Sequence, residues 1–202
     1  MPRDGTQTRT RILDAAEELM VRNGFAGTSV DQILTEAGSS KGAFFHHFSS
    51  KHALAVALMD RYVEADLGQL RRALDAVADV DDPVERALAF LTYFETWAEE
   101  LISEDSACLY IAALSERDLL DAAIRGVVQR GILTWRQEVA ALLRRAIAER
   151  PDAASLDPDE LADHLFATFE GGFLLCRSLQ SAAPMRAQLR VFRQLVEAAL
   201  RA

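Results

Sequence analysis

The sequence predicts an all-α chain of about nine helices. Apolar residues recur at spacings of three and four along almost its whole length, and no stretch alternates as a half-buried strand does. The periodic runs are separated by capping residues, glycines and prolines. The first run, Arg9 to Asn23, carries Ile12, Ala16, Leu19 and Met20 on one face. Asn23-Gly24 ends it, because glycine adopts the left-handed conformation that closes a helix. Thr28 is expected to cap a second short helix, with Asp31 returning a hydrogen bond and Val30, Ile33, Leu34 and Ala37 facing inward. Gly38 stops that helix. Ser39 and Ser40 offer hydroxyls to a third, about Ser40 to His46, and Phe44 and Phe48 turn its apolar side to the core. Ser49 or Ser50 opens a fourth, which runs from Lys51 to about Val77.

The later helices are longer. Asp82-Pro83 is a start signal, since proline is tolerated at the first helical position, and the run continues to about Leu101. A shorter helix begins near Ser106. A long one spans about Arg117 to Glu149 despite Gly126 and Gly131, and ends before Pro151. Asp157-Pro158 starts another that reaches about Leu179, and Pro184 starts the last. There is no low-complexity tract and no internal repeat.

At 202 residues, half of them apolar and 26% charged, the composition is that of a soluble globular protein. No run approaches the roughly eighteen apolar residues of a membrane span. The polar start after Met1-Pro2-Arg3 lacks an apolar signal core, so a cytoplasmic protein is expected, with no membrane partner. Cys108 and Cys176 stand far apart, without metal-ligand spacing, as reduced thiols would. The net charge of −9 is unevenly placed: residues 1–52 hold six basic and six acidic side chains, so the whole excess lies in residues 53–202. Such asymmetry suits one end that meets a polyanion and another held off it.

Three short helices with a tight second turn, in about fifty residues, form a homeodomain-like helix-turn-helix. Residues 1–50 are therefore expected to bind DNA, and residues 51–202 to form a second, helical domain. A recognition helix needs a first turn that can enter the major groove, with donors to phosphate beside it. Ser39, Ser40, Lys41, Gly42 and Ala43 stand there; Gly42 allows close backbone approach, and Lys41 adds charge where free N–H groups already favour phosphate. Arg9 and Arg11, read as lying before the first helix, are expected to reach the DNA backbone from one side. Lys51, with His46 and His47, is expected to clamp the other.

The stretch from Thr10 to about Met59 resembles the DNA-binding domain of the TetR family of transcriptional regulators. The residues that carry the resemblance are Ile12-Leu13-Asp14-Ala15-Ala16, Gly24-Phe25, Thr28-Ser29-Val30, Ala37-Gly38, Lys41-Gly42, Phe48 and Lys51. The resemblance implies a two-fold homodimer on a palindromic double-stranded operator and a small-molecule pocket in the variable C-terminal domain. It implies, for most members, a repressor released by its ligand, although activators exist. Thr28 and Phe45 join the expected DNA-contacting set. Two positions depart from the family: Ala43 where Thr or Ser is frequent, and Phe45 where Tyr is usual and its hydroxyl touches phosphate.

The last two helices bear apolar stripes: Leu161, Leu165, Phe169, Gly172, Phe173, Cys176 and Leu179, then Leu189, Phe192, Leu195, Val196 and Ala199. Read alone they are either a dimer surface or intrachain core; the resemblance implies a four-helix bundle between two copies. A second stripe, Phe90, Phe94, Trp97 and Leu101, is the expected pocket lining, joined by Ile111, Leu114 and Phe166, with Tyr93, Tyr110 and His164 as polar anchors. Plain core is the competing reading. Cys108 sits at the expected start of the sixth helix, where thiolate is favoured, but Glu104 and Asp105 oppose it; it is either a thiol sensor or a small buried side chain. Cys108 and His164 are the one pair from which a helical enzyme is imaginable. No nucleophile motif, phosphate loop, metal cluster or dinucleotide signature accompanies them, and no catalytic residue, metal or cofactor is expected.

Overall fold

Capping side chains set most of the helix boundaries. The computed structural model describes residues 3–98, 109–116, 119–150 and 156–201, and among these it holds nine α-helices and no strand. They are α1 (Arg3–Asn23), α2 (Val30–Glu36), α3 (Lys41–His47), α4 (Lys51–Ala76), α5 (Pro83–Trp97), α6 (Leu109–Ser115), α7 (Ala122–Ala148), α8 (Pro158–Leu179) and α9 (Ala183–Arg201). Asp82 and Asp157 cap α5 and α8 as expected, each with proline directly after it. Ser50 Oγ accepts from the Ala53 N–H at the head of α4.

Three expectations change. The N-cap of α2 is Ser29, not Thr28, and its reciprocal partner is Gln32 rather than Asp31. Thr28 is instead 1% exposed, its hydroxyl donating to the carbonyls of Leu19 and Gly24. The first helix begins at Arg3, so Arg9 and Arg11 lie well inside α1 rather than before it. The long seventh helix starts at Ala122, where Asp121 accepts from the N–H groups of Ala123 and Ile124.

By packing, the chain forms two compact units, Met1–Ala65 with Leu109–Gln129 and Asp66–Cys108 with Arg130–Ala202. The residues 1–50 read as a DNA-binding domain fall within the first unit, which also takes in the start of α4, α6 and the start of α7. In the first unit α1 packs on α2 and α3, and Ile12, Ile33, Phe44 and Leu54 are wholly buried. Burial of such side chains stabilises by about 1.5–3 kcal/mol each. In the second unit α9 packs against both α5 and α8. Gly172 permits that approach, because a Cβ there would stand 2.6 Å from Met185 Sδ. Arg193 fastens α9 to α5 through Glu95 at 2.8 Å, a pair only 22% and 17% exposed. Arg136 and Asp163 join α7 to α8 by two bonds of 2.6 Å.

Candidate nucleic-acid interface

The third helix has two faces. Phe44 is fully buried and Phe48, just past the helix, nearly so, and α3 packs on both α1 and α2. On the outer side Ser40, Lys41, Gly42, Phe45 and His46 are exposed, with Ala43 and His47 partly so. Ser40 caps the helix, its Oγ accepting from the Ala43 N–H at 3.2 Å. Phe45 is 59% exposed and meets Phe44 edge to face at 5.2 Å. Lys41 pairs with Asp31 at 2.9 Å, but both are more than two-thirds exposed, so the pair is weak and yields readily to phosphate. Arg9 and Arg11 are exposed on α1, Arg9 with its guanidinium 5.3 Å from the Phe48 ring centroid.

Three residues expected at DNA face elsewhere. Thr28 is buried, as described. The Ser39 hydroxyl is buried and without a protein partner among the described residues. Lys51 is half-buried, donates from Nζ to the Phe25 carbonyl, and lies 4.1 Å from the Phe25 ring centroid. Burial pushes its pKa down, while the charge of Glu116 pulls it up.

The residues expected to line one pocket are divided between the units. Phe90 and Phe94 are core: Phe94 is 1% exposed and lies 5.2 Å from Phe90, 5.5 Å from Trp135 and 5.2 Å from Phe169. Tyr93 stacks on Trp97 at 5.9 Å, and Trp97 is 40% exposed. His164 is exposed and Phe166 half-buried on α8. Tyr110, Ile111 and Leu114 belong to the first unit, where Tyr110 is buried against Tyr62 and the other two are exposed. Leu101 and Cys108 lie outside the described residues. A cavity of about 30 Å³ does occur in the first unit, lined by Met20, Phe25, Leu58, Met59, Leu109 and Glu116 among others. That is room for water, not for a drug-sized ligand.

The stripes expected as a dimer surface are largely intrachain core. Leu165, Phe169, Gly172, Cys176, Leu189, Phe192 and Val196 are buried, and Leu161, Phe173 and Ala199 half-buried. Leu179 and Leu195 alone of the two stripes are exposed, at 65% and 61%. The inward faces of α8 and α9 meet each other and α5, which consumes the stripe. Besides Leu179 and Leu195, Leu174 and Leu175 on α8 and Val191 on α9, which lie outside the expected stripes, are exposed apolar side chains. One signal for them was legible: α8 is apolar on more than one side, more than a single buried face requires. Gly171 is exposed too, with open space around it.

A short helix held from behind by two others, with a polar and basic first turn facing outward, defines a helix-turn-helix DNA-binding protein. The rest of the chain places it further: it belongs to the TetR family of bacterial regulatory proteins. Residues 12–58 match the tetR family of bacterial regulatory proteins, and residues 83–192 match the tetracyclin repressor-like C-terminal domain. The chain is similar to the transcriptional regulator AcuR of Cereibacter sphaeroides, 28% identical over 192 residues that cover 94% of this chain and 85% of that one. It is similar to the transcriptional repressor NemR of Escherichia coli, 26% identical over 195 residues, 94% of each. A TetR transcriptional regulator from Chloroflexus aurantiacus has the same fold, with a TM-score of 0.75 and 30% identity over 95% of both chains. The reduced form of Escherichia coli NemR shares it at 0.73 and 24%, over 91% of this chain and 94% of that one. The protein is a TetR-family transcriptional regulator. Among the described residues no helix is long and apolar enough to cross a membrane.

Proposed function

We propose that this regulator is a cytoplasmic homodimeric repressor, bound to a palindromic operator and released by a small apolar or amphipathic molecule. The observation that carries the reading is the exposed outer side of α3, with Lys41, Phe45 and His46 presented on a buried aromatic support. Residues 1–50 supply the DNA-binding part, and residues 51–202 the ligand-binding and dimerising part. Ser40, Lys41, Gly42, Ala43, Phe45, His46 and His47 approach the major groove, and Arg9 and Arg11 the backbone. The outward leucines of α8 and α9 form the seam between two copies, which leaves the inner stripe to the core of each.

For the ligand, Tyr93 and the exposed Trp97 at the end of α5 offer a stacked aromatic surface suited to an apolar or cationic molecule. The acidic balance of residues 53–202 favours a cation. A ligand releases DNA only by binding the weak-binding conformation better than the DNA-bound one. No catalytic role is assigned. The test is a screen of apolar and amphipathic compounds for release of bound operator, repeated with Trp97→Ala. The reading expects release by at least one compound, blunted in that variant; release unaffected by Trp97→Ala moves the pocket elsewhere. A second reading, thiol sensing through Cys108, has one observation behind it: a related repressor was solved in a form described as reduced. Release by a thiol oxidant alone, abolished by Cys108→Ser, would establish that reading instead.

A further inference from the structure

The turn between α1 and α2 is gripped from two sides by residues remote in sequence. Glu116, just past α6, accepts through Oε1 from the Phe25 N–H at 2.6 Å and through Oε2 from the Ala26 N–H at 3.1 Å. Lys51, the first residue of α4, donates to the carbonyl of the same Phe25 and lies over its ring. Both backbone polar groups of Phe25 are thus engaged, the N–H by a carboxylate and the C=O by an ammonium. Gly24 makes the approach possible. Its φ is +75°, and a Cβ there would come within 2.8 Å of Glu116 Oε1. All these residues belong to the first compact unit. The ammonium has been drawn partly out of water, and the neighbouring carboxylate opposes the loss of its proton.

A lysine at the head of the helix after a recognition helix invites assignment as a phosphate clamp; here the geometry points elsewhere. We propose that Lys51 and Glu116 are positioning residues for DNA binding, a clasp that fixes the α1–α2 turn and so the helices that follow it, and that Lys51 neutralises no phosphate. This rests on the reading of the chain as an operator-binding protein. A turn already ordered in the free protein need not be ordered by DNA, and that ordering weakens binding wherever it must be supplied.

The salt dependence of operator binding separates the two roles, because each phosphate contact contributes roughly 0.9 to the log–log slope. A site is first selected from random double-stranded DNA with the wild-type protein. Affinity is then measured across a salt series for wild type, Lys51→Met, Glu116→Ala, Glu116→Gln and Lys41→Met. Lys51→Met and Glu116→Ala should each weaken binding roughly tenfold with the slope unchanged, the size of one charged hydrogen bond. Lys41→Met should lower the slope by about 0.9. Hydrogen exchange at the Phe25 and Ala26 amides should quicken in Glu116→Ala, which a residue acting directly on DNA would not cause. Should Glu116→Ala fail to fold, Glu116→Gln, which keeps one carbonyl acceptor, decides in the same direction. A slope lowered by about 0.9 in Lys51→Met, or wild-type affinity in the Glu116 variants, overturns the clasp while DNA binding stands. If the wild type enriches no DNA at all, the operator-binding reading falls and the clasp with it.

Discussion

Phe94 meets four other rings, those of Phe90, Tyr93, Trp135 and Phe169, and is 1% exposed, so its removal opens a cavity among aromatic contacts. Phe94→Ala should destabilise the fold by about 3–5 kcal/mol in urea unfolding, whereas Trp97→Ala, at a 40% exposed position, should cost no more than about 1 kcal/mol. Equal losses would mean that Trp97 is also core. Helical spacing placed Phe90, Phe94 and Trp97 on one stripe, but spacing names a face and not its neighbours. That Phe94 meets Trp135 and Phe169 depends on contacts 41 and 75 positions away. Thr28 teaches the same lesson. Its hydroxyl donates to the Leu19 carbonyl at 3.2 Å and the Gly24 carbonyl at 2.8 Å, so it holds the α1–α2 turn from inside. Thr28→Val should lower stability by about 1–3 kcal/mol, seen as a reduced unfolding midpoint, because it leaves those bonds unmade. An unchanged midpoint would show the hydroxyl to be idle. Thr28 and Ser29 are equally good caps on paper, and only the burial of Thr28 decides between them.

Among the elements, α5 and α7 begin at aspartates that work as charged caps. Asp82 accepts from the Glu85 and Val84 N–H groups, and the first of these chiefly holds its pKa below the ordinary 3.8. Asp121 does the same for α7, mainly through the Ile124 N–H, with His52 beside it at 3.2 Å. A carboxyl whose folded pKa is depressed binds its proton less readily in the folded state. The stability it lends is whole above the unfolded value and drains as pH falls through the folded one. Melting temperature should therefore decline below about pH 4 more steeply in wild type than in Asp82→Asn or Asp121→Asn; parallel profiles would deny the caps this role. The start of α5 was legible from its Asp-Pro pair because that signal is local, whereas α7, with no such pair, was expected to begin near Arg117 and begins at Ala122. The outward face of α8 and α9 was legible only in part: α8 is apolar on more than one side, but two apolar sides compete and only tertiary packing selects the inner one. Substitutions separate the sides. Phe192→Glu forces a charge into the core and should misfold, whereas Leu195→Glu, 61% exposed, should leave the monomer folded and break the dimer by light scattering. A Leu195→Glu protein that stays dimeric moves the seam elsewhere.

At the scale of the whole molecule the order of helices, the helix-turn-helix and the family were open in the sequence, because each rests on local caps and spacings. The junction of Glu116 with the α1–α2 turn was not, for its partners stand 90 and 91 positions away and no periodicity joins them. In the proposed function, two copies of this chain present their α3 helices together to one DNA site. Two-fold symmetry requires an inverted repeat, with half-site centres about 34–36 Å, one helical turn, or multiples of it, apart. The most direct measurement is selection of double-stranded DNA from a random pool, followed by the mass of the complex on the enriched site. An inverted repeat bound by an even number of chains is the expected result, with affinity that falls steeply as salt rises and collapses in Leu195→Glu. Enrichment of a non-repeated site bound by one chain, or of no site, would contradict it.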